Sequence, residues 1–139
     1  MEQRTVGKSN IKVGGVGLGL MSMSGVYGKP DDAQSIRVIQ RALDLGVTFL
    51  DSSDMYGWGQ NEQLLGRALA GRRDRALLSV KFGALRAPDG SFTGYDARPA
   101  AVKNFLAHSL AYSNANGPPR VEYLPVTITR WPPAERVYG

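Results

Sequence analysis

The chain contains no cysteine, which excludes disulfides and thiolate metal sites. Histidine is nearly missing as well: His108 stands alone, and without a second imidazole at ligand spacing no metal site is expected. No run approaches the roughly 18 apolar residues that a membrane span needs. The polar start, Met1-Glu2-Gln3-Arg4, leads into no apolar signal core, so a cytoplasmic protein is the expectation. Acidic residues are outnumbered, 12 against 17 basic ones, for a formal net charge of +5. The excess does not form a broad basic face with interleaved aromatics, so no nucleic-acid partner is expected. Its densest cluster, Arg67, Arg72, Arg73 and Arg75, falls at the end of a predicted helix and reads as a solvated cap on the helix dipole.

What is present is enough for one domain with a core: 139 residues, 42% hydrophobic and 21% charged. The chain repeats a strand, a loop and a helix. Thr5-Val6 and Ile11 to Val13 flank the turn-forming Gly7-Lys8-Ser9-Asn10 and read as a hairpin. Val16 to Leu20 is the first strand of the repeat. Pro30-Asp31-Asp32 then opens a helix with a capping carboxylate, and Ile36, Ile39, Ala42 and Leu43 share one face. Gly46 closes that helix in the left-handed position, and Val47 to Leu50 is the second strand. Asn61 to Ala70 is the second helix, with Leu64, Leu65, Ala68 and Leu69 inward. Ala76 to Val80 is the third strand, and Arg98-Pro99 starts a third helix carrying Val102, Phe105, Leu106 and Leu110. Strand ends near Leu20, Asp51 and Lys81 are spaced by 31 and 30 residues. That spacing predicts an α/β fold with a parallel sheet, doubly wound or closed as a barrel. Residues 86–97 read as a long loop, either surface or a cover for substrate.

The pattern breaks after Leu110. Five of the eight prolines fall in the last 29 residues, so residues 111–139 read as a divergent, proline-rich tail. Val121 to Thr129 is a possible fourth strand, but Pro125 would remove one of its ladder hydrogen bonds.

The chemistry is concentrated in Thr48-Phe49-Leu50-Asp51-Ser52-Ser53-Asp54-Met55-Tyr56-Gly57 and in Lys81. Successive βα units deliver a carboxylate, a phenol and an amine to one rim, where parallel-sheet enzymes keep their functional groups. If they meet, Lys81 stabilises a tyrosinate, Asp51 holds the ammonium, and Tyr56 hands a proton to a carbonyl oxygen. Taken singly, each has a plainer role as a packed aromatic or a solvated strand end. Asp54 reads as a loop-capping carboxylate, His108 as a helix-surface residue, and Trp58 as either pocket wall or core. The glycines at 14, 15, 17 and 19 accept no GxGxxG fingerprint, because Leu20 stands where its last glycine should be.

Several segments resemble the aldo-keto reductase superfamily, in the branch akin to the voltage-gated potassium channel β-subunits. They are Arg4-Thr5-Val6-Gly7-Lys8-Ser9, Gly17-Leu18-Gly19-Leu20-Met21, the run from Arg41 to Asp51, Tyr56-Gly57, Asn61-Glu62-Gln63-Leu64-Leu65-Gly66 and Val80-Lys81-Phe82-Gly83. The resemblance, over residues 4 to 110, implies the N-terminal portion of a (β/α)₈ TIM barrel, incomplete, with an N-terminal β-hairpin. It implies NADPH-dependent reduction of an aldehyde or ketone. Asp51, Tyr56 and Lys81 would be three of the four catalytic residues, and Gly19, Leu20, Met21 and Asp51 would face the nicotinamide. The fourth catalytic residue, a histidine, has no counterpart in Tyr123 to Arg130. The cofactor's phosphates would bind later βα units. A full barrel takes about 250 residues, so the expected division is a partial barrel at 1–110 and a tail at 111–139, as from a frameshift. Impaired activity is then expected, along with self-association through open sheet edges. The alternative is a non-enzymatic remnant or a protein-interaction or cofactor-sensing module.

Overall fold

A computed structural model describes residues 1–113. The chain opens with an antiparallel hairpin, β1 (Gln3–Thr5) and β2 (Lys12–Gly14), with Arg4 opposite Val13. Ser9 fastens the turn: its hydroxyl donates to the Val6 carbonyl at 2.7 Å and accepts the Ile11 N–H at 3.1 Å. The hairpin sits against the end of the first helix so closely that a Cβ on Gly14 would stand 2.6 Å from the Gly46 carbonyl oxygen. Only glycine permits that approach.

Three parallel strands follow, β3 (Gly17–Gly19), β4 (Phe49–Ser53) and β5 (Leu77–Lys81), paired in the order β3-β4-β5. Their register aligns Gly19 with Asp51 and Asp51 with Ser79, and it sets Ser53 opposite Lys81. The expected strand ends therefore meet at one rim. Among the described residues β3 and β5 are the two edges of this sheet.

Helices α1 (Asp32–Asp44) and α2 (Gln60–Ala68) connect the strands. Asp31 caps α1, its side chain accepting the Gln34 N–H at 2.8 Å. Asp31→Ala should lower stability by about 1 kcal/mol, read as a shifted urea midpoint at unchanged slope. Gly46 ends the helix with φ of 85°. The core lies between sheet and helices: Leu20, Ile39, Leu50, Leu64, Leu65 and Ala68 have no exposed surface, with Met23, Leu43, Leu69 and Ala76 around them.

The arginine cluster caps a helix, but not the one it follows. Arg75 donates to the Leu43 carbonyl at 3.1 Å, and Arg72 and Arg75 both pair with Asp44, so the charge gathers at the C-terminus of α1. Arg67 pairs with Asp32, at the other end of α1. Arginines on α2 and just beyond its end thus serve the adjacent helix, because the crossover brings the two helices side by side.

One further expectation is corrected. The segment 86–97 is not a plain loop: β6 (Ala84–Arg86) and β7 (Phe92–Tyr95) form an antiparallel hairpin, with a register shift between Leu85 and Arg86. Phe92 and Tyr95 meet edge to face at 4.9 Å. The third helix, α3 (Pro99–Ser113), forms where expected and packs on α2. Ser109 and Ser113 are its buried positions, on the same face as the half-buried Val102, Phe105, Leu106 and Leu110. Ser113 donates its hydroxyl to the Ser109 carbonyl at 2.6 Å. The proposed fourth strand lies outside the described residues. No helix among the described residues is long and apolar enough to cross a membrane.

Candidate active site

β4 supplies Asp51 and β5 supplies Ser79 and Lys81 on the same face of the sheet, two residues apart as the strand period requires. Lys81 Nζ lies 2.5 Å from Asp51 Oδ2, and the Ser79 hydroxyl donates to Asp51 Oδ1 at 2.8 Å. Both carboxylate oxygens are therefore held. The side chains remain 38% and 52% exposed for Asp51 and Lys81, so the pair adds about 0–1 kcal/mol to stability. Its effect is to fix where the ammonium stands.

Tyr56 is the third expected member, and the structure brings its ring to Lys81. Lys81 Nζ lies over the phenol ring, 5.1 Å from its centroid. The contact is with the ring face, an arrangement in which a cation is attracted to the aromatic quadrupole. Tyr56 starts a tight one-turn helix whose chain then runs through Gly57, Trp58 and Gly59, all with positive φ. Trp58, at φ 51°, is the one non-glycine residue among those described with positive φ. Such backbone strain persists only where surroundings enforce it. Here the Arg86 guanidinium stacks on the indole at 5.2 Å, tying the β6–β7 hairpin to this turn. Asp54 completes the tie: Oδ2 accepts the N–H groups of Gly83 at 2.6 Å and Ala84 at 3.1 Å, the capping role expected of it.

The residues expected along the cofactor differ in what they offer. Gly19 is exposed, and a Cβ added there would meet nothing within 4 Å, so the strand end is open to a flat ligand. Met21 is half-exposed beside it. Leu20 is fully buried, its N–H donates to the Asp51 carbonyl at 3.0 Å, and its own carbonyl accepts from Asn61 at 2.8 Å. It positions its neighbours and presents no free polar group.

Asn61 was not singled out by sequence reasoning, yet it organises the rim. Fully buried, it accepts the Ser52 hydroxyl at 2.7 Å and donates through Nδ2 to the Leu20 carbonyl and to Ser24 Oγ at 2.7 Å. The relay continues from Ser24 to Gln60 at 2.8 Å and from Gln60 to Asp32 at 2.9 Å. β4, α2, the turn after β3 and the start of α1 are locked by one set of side chains.

Glu62 was also missed. It is 2% exposed, and burial raises its carboxyl above the ordinary value of 4.5. Ser109 and His108 counter part of that rise, and Asp54 adds to it. A raised carboxyl binds its proton more tightly in the folded state. Stability is then full below 4.5 and is lost as pH rises through the raised value. Glu62→Gln should abolish this fall, so urea midpoints of the variant should change less than those of the parent between about pH 4 and 7. Equal slopes would place the ionisation elsewhere.

His108 is exposed on α3, as expected, with its ring 6.2 Å from that of Tyr112. It is far along the chain from the Asp51–Lys81 pair and forms no ion pair among the described residues. Among those residues no group of His, Asp and Glu is placed to hold a metal ion.

Comparison with known proteins covers most of this site. The Aldo/keto reductase family matches residues 15–116. Aldo-keto reductase yakc of Schizosaccharomyces pombe, whose name specifies NADP(+), is 37% identical over 103 residues, 73% of this chain and 30% of that protein. Uncharacterized oxidoreductase YqkF of Bacillus subtilis is 34% identical over 111 residues, 79% of this chain and 34% of its own. Among solved structures, a holo aldo-keto reductase from Bacillus halodurans superposes with a TM-score of 0.71 and 33% identity, over 81% of this chain and 36% of that one. The chain thus spans about a third of the length of the curated relatives it matches. The sheet, helices and opening hairpin are the N-terminal portion of a (β/α)₈ barrel, incomplete as expected.

Proposed function

The chain belongs to the aldo/keto reductase family, and on that premise we propose that its rim carries the proton-donating part of an NADPH-dependent carbonyl reductase. The observation that carries the reading is the Asp51–Lys81 contact of 2.5 Å with Tyr56 beneath the same ammonium. A substrate carbonyl would be a small aldehyde or ketone, and the expected setting is cytoplasmic. A Klebsiella pneumoniae aldo/keto reductase solved with NADP and acetate, 25% identical with a TM-score of 0.54, lends support to the cofactor. The matches are to oxidoreductases and add nothing to the reading as a non-enzymatic module.

The residues present suit the nicotinamide end: open space beside Gly19, half-exposed Met21 and the exposed edge of Asp51. When bound, NADPH supplies a hydride to the carbonyl carbon. The chain does the rest. Asp51, fixed by Ser79, keeps the Lys81 ammonium against the phenol. A positive charge there stabilises the phenolate left when Tyr56 gives its proton to the carbonyl oxygen, in which negative charge is developing. The buried Asn61 relay keeps the strand ends in register, so that donor and cofactor face the same point. Self-association through β3 and β5 is part of the proposal, since an unpaired edge invites another strand.

The test is NADPH oxidation by the full 139-residue chain with a small aromatic aldehyde, followed by cofactor fluorescence. Aldehyde-dependent oxidation above the buffer rate is expected. Neither oxidation nor cofactor binding by a cooperatively folded chain would reject the assignment of activity while leaving family membership intact.

A further inference from the structure

β5 bonds to β4 through alternate residues only. The Leu77 N–H donates to the Thr48 carbonyl at 2.8 Å, and the Lys81 carbonyl accepts the Asp54 N–H at 3.0 Å. Ser79, midway between them and opposite Asp51, turns its backbone the same way. With a strand period of two, the N–H and C=O groups of Leu78 and Val80 point away from β4. No strand among the described residues takes them up. The strand is apolar there as well, and Leu77, Leu78 and Val80 are half-buried rather than buried. An unpaired edge of this kind is a template for another strand.

The residues of that edge, Leu77-Leu78-Ser79-Val80-Lys81, complement themselves about their centre. Antiparallel pairing with Ser79 on a two-fold axis sets Leu78 opposite the partner's Val80, and Val80 opposite the partner's Leu78. Each of these pairs exchanges both of its N–H···O=C bonds, so every outward backbone group of the two residues is used. On one face leucine then packs on valine across the strands. On the other, the small Ser79 meets its own copy, and Lys81, the one charge of the strand, lies opposite leucine. In-register parallel pairing would instead set two ammonium groups side by side, which is destabilising. β3 is the weaker edge, three residues long with two of them glycine. Val121 to Thr129 competes poorly for β5, because Pro125 cannot donate to a ladder. We propose that two copies of this chain associate through β5, antiparallel about Ser79, joining their three-stranded sheets into one. The inference rests on the self-association proposed above and names its surface. The two rims then face opposite ends of the joined sheet, and each Asp51–Lys81 pair stays within its own protomer.

The experiment is sedimentation velocity of the full chain at rising concentration, with amide hydrogen exchange read residue by residue at both ends of that range. A concentration-dependent dimer is expected, with the Leu78 and Val80 amides protected at least tenfold more than in the monomer. Val80→Pro removes one outward N–H and no bond to β4, so it should stay monomeric where the parent is dimeric. A parent chain that is monomeric throughout overturns the proposal. So do Leu78 and Val80 amides already protected in the monomer, which would put a segment of the same chain on the edge. A dimer that protects Gly17 and Gly19 instead also overturns it, while leaving self-association itself intact. Should Val80→Pro fail to fold, the exchange pattern of the parent decides alone. The reductase reading is tested separately, by NADPH oxidation, and stands or falls without these results.

Discussion

Tyr56→Phe is expected to lower aldehyde-dependent NADPH oxidation by about 100- to 10,000-fold, the usual contribution of a positioned general acid. The substitution removes one oxygen from a half-buried side chain and keeps the ring over which Lys81 sits. Stability should therefore change little, and the loss should fall on turnover rather than on cofactor affinity. Lys81→Met is the partner experiment. It leaves the phenol in place but removes the charge that Asp51 anchors at 2.5 Å. A Tyr56→Phe chain that turns over as fast as the parent would hand the proton donor's role to another group.

Asn61→Leu should be the most destabilising single substitution at the rim, by about 2–5 kcal/mol, a large share of the 5–15 kcal/mol that holds a typical domain. Leucine fills a similar volume, so the loss comes from polar groups rather than from a cavity. It leaves the fully buried Ser52 hydroxyl without its acceptor and takes one donor from the Leu20 carbonyl. Thermal and urea unfolding measure the effect. Asn61→Asp keeps the acceptor for Ser52 but cannot donate to Leu20 or Ser24, so it separates the two halves of the relay. A variant as stable as the parent would mean that water or the displaced turn takes over these bonds.

The parallel sheet and the Asp51–Tyr56–Lys81 grouping were legible in the sequence because both rest on local signals. Apolar runs of strand length, capping residues and a period of about 30 residues fix where strands end. Lys81 could thus be placed opposite β4 before any coordinates, and Ser53 is its partner. The β6–β7 hairpin had a signal that the longer pattern hid. Pro88-Asp89-Gly90 is turn chemistry, with Gly90 at φ 89° and Asp89 accepting the Ser91 N–H at 2.9 Å. Glu62 and Asn61 could not be found that way. On a helix wheel both are ordinary polar residues near the first turn, and their burial comes from α3 and the turn after β3 closing over them. In α3 the two buried serines fall on the same face as Val102, Phe105, Leu106 and Leu110, so periodicity named the inward face correctly and missed only that its most buried positions are polar.

The strained indole at position 58 also has an optical consequence. It is the one tryptophan among the described residues, and its π-face lies under a guanidinium from the β6–β7 hairpin. With Trp131 replaced by Phe, the chain becomes a single-tryptophan protein whose emission, excited at the red edge where its six tyrosines do not absorb, reports that one stacking contact. Lifting the hairpin off the indole would hydrate the ring and move its emission to longer wavelength while the helices, and hence the far-ultraviolet dichroism, stay as they were. Docking of this segment could then be timed by stopped flow, with no label attached.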